Sequence, residues 1–296
     1  MKGRLSIKNK INRAVLFINP EKKHALALGD NIRKVLSKKN IETEVYDFKN
    51  NQPLLVKNKY DMAISLGGDG TVLSAARSMA PLGVPVFPVN LGTFGFIAGI
   101  KPDEWQEVFD LYTEGKTLIS KRLMLEVKVK RNGRDIFKKA CLNEVLISSS
   151  EIRKIISLNV SLLENRQKKP MDFGSYRADG LIISTPTGST AHSLAAGGPI
   201  LDPELDAILL NPICPFALHS RPVVLSGSET IIVDIDKEKA NGVIITLDGH
   251  PGMELLNDDI LYIKKASYKC LLIASGKEGF YNTLAAKFVQ AMGKKD

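Results

Sequence analysis

The feature that most constrains this chain is a change of rhythm near residue 117. Before it, short apolar runs alternate with segments of helical spacing. After it, strand-like runs follow one another with almost nothing helical between them. "AVLFIN" (14–19), "TEVYDF" (43–48), "DMAISL" (61–66) and "VPVFPVN" (84–90) read as strands, and 21–40, 71–80 and 102–115 read as helices. Such alternation predicts a parallel sheet with helices on its faces. Beyond it, "LMLEVKVKR" and "RDIFKKACLNEVLIS" flank Asn132-Gly133, a pair suited to a tight hairpin turn with positive φ. "IISLNVSLLE", "LIIST", "PVVLS", "TIIVDID", "VIITLD" and "DILYIKK" then come at short intervals. These predict a strand-rich second domain, sandwich-like or barrel-like. The tail 280–293 returns to helical spacing and is expected to pack back on the first domain. The predicted organisation is therefore 1–116 with 275–296 as an α/β domain and 117–274 as a β-rich domain, and 296 residues suit two domains.

Composition narrows the class. With 44% hydrophobic and 25% charged residues, the chain reads as an ordinary globular protein. A net charge of +9 suits anionic partners, or describes a solvated basic surface. Cys141, Cys214 and Cys270 are far apart and lack metal-finger spacing, so reduced thiols are expected. The apolar run "AVLFI" near the basic start is too short for a signal-peptide core, and no apolar run approaches the ~20 residues of a membrane span. A soluble, cytoplasmic protein is the expectation.

Two stretches offer chemistry. In "DMAISLGGDGTVLSAAR" (61–77) a buried strand runs into Gly67, Gly68, Asp69, Gly70 and Thr71 and then into a helix. Glycine lets backbone approach a phosphate, and a helix start adds N–H donors and partial positive charge. A lone carboxylate there can take a proton from a hydroxyl or hold magnesium, as phosphoryl transfer to an alcohol requires. The plain alternative is a tight turn with an Asx cap. The segment is neither a Walker loop nor Gly-x-Gly-x-x-Gly. In "YRADGLIISTPTGSTAHSLAAGGPILDP" (176–203) a strand meets a crowd of hydroxyls and glycines, then a small-residue helix that Ser189 or Thr190 would cap. Small residues at a helix start suit close approach of a flat ring or a phosphate. Asp179 would hydrogen-bond an amide or ribose, or pair with Arg177.

Together "GGDGT", "NLGTFGF", "LNEV", "RADGLIISTPTGSTAHSLAAGGPI" and "LDGH" resemble the NAD kinase family, from about residue 14 to the C-terminus. GGDG alone is shared with diacylglycerol, sphingosine and 6-phosphofructokinases. The 185–199 block is far more specific. The resemblance implies a Rossmann-like N-terminal domain, a β-sandwich C-terminal domain, a C-terminal helix returning to the first domain, and a homotetramer or homodimer. It implies phosphorylation of the adenosine ribose 2′-hydroxyl of NAD by ATP, giving NADP and ADP, and leaves open whether inorganic polyphosphate also serves as donor. Magnesium would come with the donor, with no dedicated protein metal site. Neither nucleic acid nor membrane would be a partner.

Residue by residue, the resemblance makes Asp69 the general base, set against the ribose. Gly67, Gly68, Gly70 and Thr71 would cradle donor phosphates, with Gly70 also near NAD. Asn143 and Glu144 would hold ribose hydroxyls, and Phe96 would line the adenine pocket with Asn90 nearby. Asp179 would reach the nicotinamide side, and Arg177 would contact phosphate or brace the site. Thr190, Ala191, His192, Ser193, Leu194 and Ala195 would line the dinucleotide. His192 departs from the family pattern, where Tyr is common. His250 would face Asp69, touch phosphate or sit in a solvated loop, with Asp248 beside it unassigned. Lys154, and Arg77 from the helix after GGDG, would contact phosphate or be plain surface cations. His24 and His219 carry no motif and read as structural. The rival classes are a lipid or other small-molecule kinase using the same GGDG loop, and a non-catalytic NAD sensor.

Overall fold

Strands that are apolar on both faces must be covered on both faces. The N-terminal strands β1 (Arg13–Ile18) and β3 (Met62–Gly67) are of this kind, buried along almost their whole length. The computed structural model describes residues 10–22, 24–46, 59–92, 95–151, 154–164, 169–217, 220–235, 242–273 and 277–292, and of 277, 278 and 288–292 the backbone alone. Residues 47–48 of the second expected strand, 236 of "TIIVDID", 293 of the tail and His219 lie outside them. The chain divides into one compact unit of residues 1–122 and 269–296 and another of 123–268.

In the first unit, β2 (Glu42–Tyr46) and β4 (Val86–Asn90) complete a parallel order β2-β1-β3-β4. Helix α1 (Ala25–Lys38) buries Ala25, Gly29, Ile32 and Leu36, one face of a 3.6-residue period. Gly29 brings the helix close to β1, since a Cβ there would lie 2.5 Å from Ile18 Cδ1. Helix α2 (Asp69–Met79) follows β3, and α3 (Trp105–Thr113) buries Trp105, Phe109 and Tyr112. Leu16, Ile64, Leu66, Phe87, Ile32 and Leu36 share one core. Each such side chain contributes roughly 1.5–3 kcal/mol on burial. The C-terminal helix α5 (Lys277–Met292) belongs to this unit and buries Phe280.

The strand order positions the site. The chain leaves β1 outward to β2 and returns on the other side as β3. Connections at the carboxyl ends of β1 and β3 therefore diverge, and open parallel sheets bind ligands at such a switch point. The Gly-Gly-Asp-Gly turn lies there.

The second unit is a two-sheet sandwich, which decides between the two architectures left open by the sequence. One antiparallel sheet holds β8 (Ile156–Glu164), β9 (Met171–Ala178) and β13 (Glu229–Ile235) in the order β13-β8-β9. Beyond β13 come β16 (Asp259–Ile273), β5 (Ile119–Arg131) and β6 (Arg134–Cys141). The other holds β7 (Glu144–Ser149), β10 (Gly180–Ser184), β11 (Ala207–Ile213), β12 (Val223–Ser226), β14 (Val243–Leu247) and β15 (His250–Leu255). Its order is β12-β11-β10-β7-β14-β15. Val160, Ile231 and Ile263 of one sheet share a core with Ile147, Leu181 and Ile245 of the other. The Asn132-Gly133 turn has φ of 49° and 76°, as the hairpin reading requires.

Three strands escape the apolar-run reading. β9 (MDFGSYRA) and β15 (HPGMEL) are edge strands with mostly exposed, polar sequences, and β11 (AILLNPI) carries Asn211 and Pro212. The expected helix 191–196 shrinks to one turn, α4 (His192–Ala195), because Gly197 at φ 78° stops it. Among the described residues no helix is long and apolar enough to cross a membrane.

Candidate functional site

Asp69 is the first residue of α2, with Gly68 before it in extended conformation. The glycines of the turn differ in what they do. A Cβ on Gly67 would lie 2.1 Å from Thr71 Oγ1, so packing explains Gly67. Gly68 and Gly70 face open space and neither has a positive φ. Glycine in a helix typically costs roughly 0.5–1 kcal/mol relative to alanine, so the fold alone gives no reason for Gly70. Bare backbone beside a half-buried carboxylate is suited to an approaching anion.

The Asp69 carboxylate is held by backbone. Phe96 N–H donates to Oδ2 at 3.0 Å, while Ile97 N–H and Ala98 N–H donate to Oδ1 at 3.3 and 3.0 Å. The Phe96 ring lies 6.0 Å from that of Phe280, and Lys287 Nζ stands 4.2 Å above it. Helix α5 thus braces the segment whose amides hold Asp69. Nearby, Asn90 Oδ1 accepts from Gly92 N–H at 2.9 Å, closing an Asx turn.

In the second unit, Asn143 and Glu144 open β7 and are buried, at 7% and 2% exposure. Asp248 fixes their backbone. Its carboxylate accepts from Leu142 N–H at 3.1 Å and Asn143 N–H at 2.7 Å, and its own N–H donates to Glu144 O at 3.0 Å. Asp248 has φ 49°, a conformation Asp tolerates. The sequence left this residue unassigned. Glu144 Oε1 lies 2.7 Å from His192 Nδ1, which supplies the proton of this hydrogen bond whenever the carboxylate is ionised. Burial pushes the Glu144 pKa up, and the His192 contact opposes that rise. Glu144 Oε2 and Asn143 Oδ1 are buried without a hydrogen-bond partner among the described residues. Such atoms destabilise by about 1–3 kcal/mol each until a donor reaches them. His250 is exposed, and its Nδ1 donates to Asp248 O at 3.0 Å.

The hydroxyl-rich stretch 184–198 serves largely to seat backbone on backbone. Thr185 N–H and Ser184 Oγ donate to Asn143 O at 2.8 and 3.2 Å, and Thr185 Oγ1 donates to Leu142 O at 2.6 Å. A Cβ on Gly188 would lie 2.2–2.6 Å from the Asn143 backbone. The capping expectation is corrected: Ser189 Oγ donates to Pro186 O and Thr190 Oγ1 to Thr187 O, and neither caps α4. Both hydroxyls point back to the preceding turn, and Pro186 O also accepts from Ser189 N–H at 3.3 Å. Ser193 is buried with its hydroxyl against Asn211 Nδ2 at 3.1 Å. His192, Leu194 and Ala195 are exposed, and Thr190 and Ala191 half-buried. Asn211, which also donates to Ser193 O at 2.9 Å, had no sequence signal beyond its place in an apolar run.

The remaining candidates are dispersed. Lys154 Nζ pairs with Glu151 at 2.8 Å. The Arg177 guanidinium sits 5.1 Å above the Phe216 ring, and no ion pair with Asp179 forms among the described residues. Asp179 is exposed, with its N–H bonded to Ile213 O at 3.0 Å. Arg77 is half-buried late in α2, and His24 begins α1 at φ 66°.

Two family models match this chain: the ATP-NAD kinase N-terminal domain over residues 7–117 and the ATP-NAD kinase C-terminal domain over 142–275. The chain belongs to the NAD kinase family. Among curated relatives, the NAD kinase of Treponema denticola is 40% identical over 279 residues, 94% of this chain and 96% of that one. The NAD kinase of Geobacter sulfurreducens is 40% identical over 227 residues, 77% of this chain and 78% of its own length. The fold matches the crystal structure of yeast NADH kinase complexed with NADH at a TM-score of 0.82 and 22% identity, covering 97% of this chain and 89% of that one. It also matches an NAD kinase from Archaeoglobus fulgidus in complex with ATP, at 0.73 and 23%, covering 93% and 98%. For an NAD kinase family member, the recognisable motifs mark both the exposed groups and the hidden supports described above. "LDGH" is the clearest case, since its Asp248 is a brace.

Proposed function

We propose that this chain phosphorylates the adenosine ribose 2′-hydroxyl of NAD with ATP, giving NADP and ADP, and that Asp69 is the general base. The observation that carries the reading is the Asp69 carboxylate at the sheet's switch point, flanked by two glycines the fold does not need. In the reaction the 2′-hydroxyl proton passes to Asp69 as the oxygen bonds the γ-phosphorus. The bond from that phosphorus to the β-phosphate oxygen breaks. Gly67, Gly68, Gly70 and Thr71 offer backbone to the donor phosphates, and orientation supplies much of the barrier lowering.

Asn143 and Glu144 hold ribose hydroxyls; their orphaned oxygens are acceptors that a diol's O–H groups would satisfy. Phe96 lines the adenine pocket. Thr190, Ala191, His192, Ser193, Leu194 and Ala195 line the dinucleotide, Asp179 and Arg177 serve its nicotinamide and phosphate side, and Lys154 and His250 contact phosphate. A divalent cation, magnesium first among candidates, comes with ATP and neutralises charge on the transferring phosphoryl group when bound. Phosphates and water suit its coordination. The same reading expects a homotetramer or homodimer acting in the cytoplasm.

The test is a coupled assay of the purified full chain with NAD, magnesium and ATP, with polyphosphate as a second donor and diacylglycerol as a rival acceptor. NADP is the expected product. Asp69→Asn is expected to lower turnover by about 10²–10⁴-fold while calorimetry still detects NAD binding. Label in diacylglycerol without NADP would overturn the reading.

A further inference from the structure

A general base must be aimed as well as present, and one glycine outside the GGDG turn bears on that. An ideal Cβ on Gly95 would lie 2.1 Å from Asp69 Oδ1, 2.5 Å from Cγ and 2.6 Å from Oδ2. No other residue contributes one of those three nearest atoms. Gly95 has no left-handed φ, so its own backbone accepts alanine without strain. The nearest obstacle to a side chain at this position is therefore the Asp69 carboxylate. The three amides that follow, of Phe96, Ile97 and Ala98, all point at the same carboxylate.

The geometry points to Gly95–Ala98 as a positioning device for Asp69, with Gly95 the residue that lets the carboxylate dock. This rests on the reading of Asp69 as the base. A carboxylate has about four acceptor directions, two on each oxygen. Two amides fill Oδ1 and one occupies half of Oδ2. The direction left over is on Oδ2, which makes Oδ2 the atom that receives the hydroxyl proton. Any residue larger than glycine at 95 pushes the carboxylate off its amides and turns that direction away. Gly95 never touches substrate; it acts through Asp69.

The experiment compares wild type, Gly95→Ala, Asp69→Ala and the double variant, each as the full chain, by kcat and by KM for NAD and ATP. Misplacing a reacting group by about 1 Å costs on the order of a hundredfold, so Gly95→Ala is expected to lose about that much kcat with each KM within about twofold. In the Asp69→Ala background, where nothing remains to misplace, the same change is expected to alter the residual kcat by less than about twofold. Asp69→Glu is a second probe that leaves Gly95 untouched. It keeps the acid but displaces it, and a loss of about a hundredfold is again expected. Full kcat in Gly95→Ala or in Asp69→Glu, or equal losses from Gly95→Ala in both backgrounds, would overturn the inference. Wild-type kcat in Asp69→Ala would instead defeat the base assignment, and this inference with it.

Discussion

Asp69 and Glu144 are both acids in family motifs, but the protein holds them by opposite means. Asp69 is half-buried and gripped by three backbone amides. Glu144 is buried, touches an exposed imidazole, and keeps an oxygen without a partner among the described residues. Backbone donors fix position as long as no side chain crowds the carboxylate they hold. A single side-chain partner leaves a carboxylate's energy open to adjustment by substitution or by ligand. The first arrangement suits a group that must be aimed; the second suits a group that must bind.

The contrast separates the two in kinetics. Asp69→Asn is expected to act on kcat, by about 10²–10⁴-fold, and Glu144→Ala chiefly on the NAD KM. Steady-state kinetics of both variants check this, and an unchanged KM in Glu144→Ala would erase the distinction. Next in size is Asp248→Ala, which strips the acceptor from the Leu142 and Asn143 amides. Each buried unpaired amide destabilises by about 1–3 kcal/mol, so a lower melting temperature and weaker NAD binding are expected together.

A smaller effect, of opposite sign in stability, comes from Glu144→Gln. Burial raises the Glu144 pKa above its ordinary 4.5, so the folded chain binds this proton more tightly than the unfolded chain. The stability tied to that proton is whole below the unfolded pKa and is lost as pH rises through the folded one. Glutamine carries no charge to desolvate. The variant is therefore expected to melt about 2–4 °C above wild type near neutral pH for each kcal/mol relieved, and to lose that advantage as pH falls towards about 4. An advantage that persists in acid would contradict the burial argument. The smallest effect belongs to His192→Ala, which removes one exposed hydrogen-bond partner. A loss of roughly threefold to tenfold in NAD affinity by titration calorimetry is expected, with kcat nearly unchanged.

Sequence reached the exposed half of this design more readily than its supports. The GGDG turn was legible because a strand-to-helix junction and glycine spacing are local. The Asn132-Gly133 hairpin was legible for the same reason. The role of Gly95 depends on a carboxylate 26 positions earlier, and that of Asp248 on amides about 105 positions earlier, which no local pattern encodes. The hydroxyls of 184–190 misled in a related way. Read locally they suit a ligand or a helix cap, yet Ser184, Thr185 and Ser189 spend them on backbone carbonyls. Strand β11 hid behind Asn211 and Pro212, and β9 and β15 behind the polar sequences that exposed edges favour.

The open space around Gly68 and Gly70 has a consequence for how such a chain drifts. A mutant library sorted only for soluble expression would accept alanine or serine at both positions, while Gly188 would hold against almost everything. The same library sorted for survival on its product would reverse that leniency at 68 and 70, so the mismatch between the two outcomes would trace the footprint of the phosphate donor on the backbone.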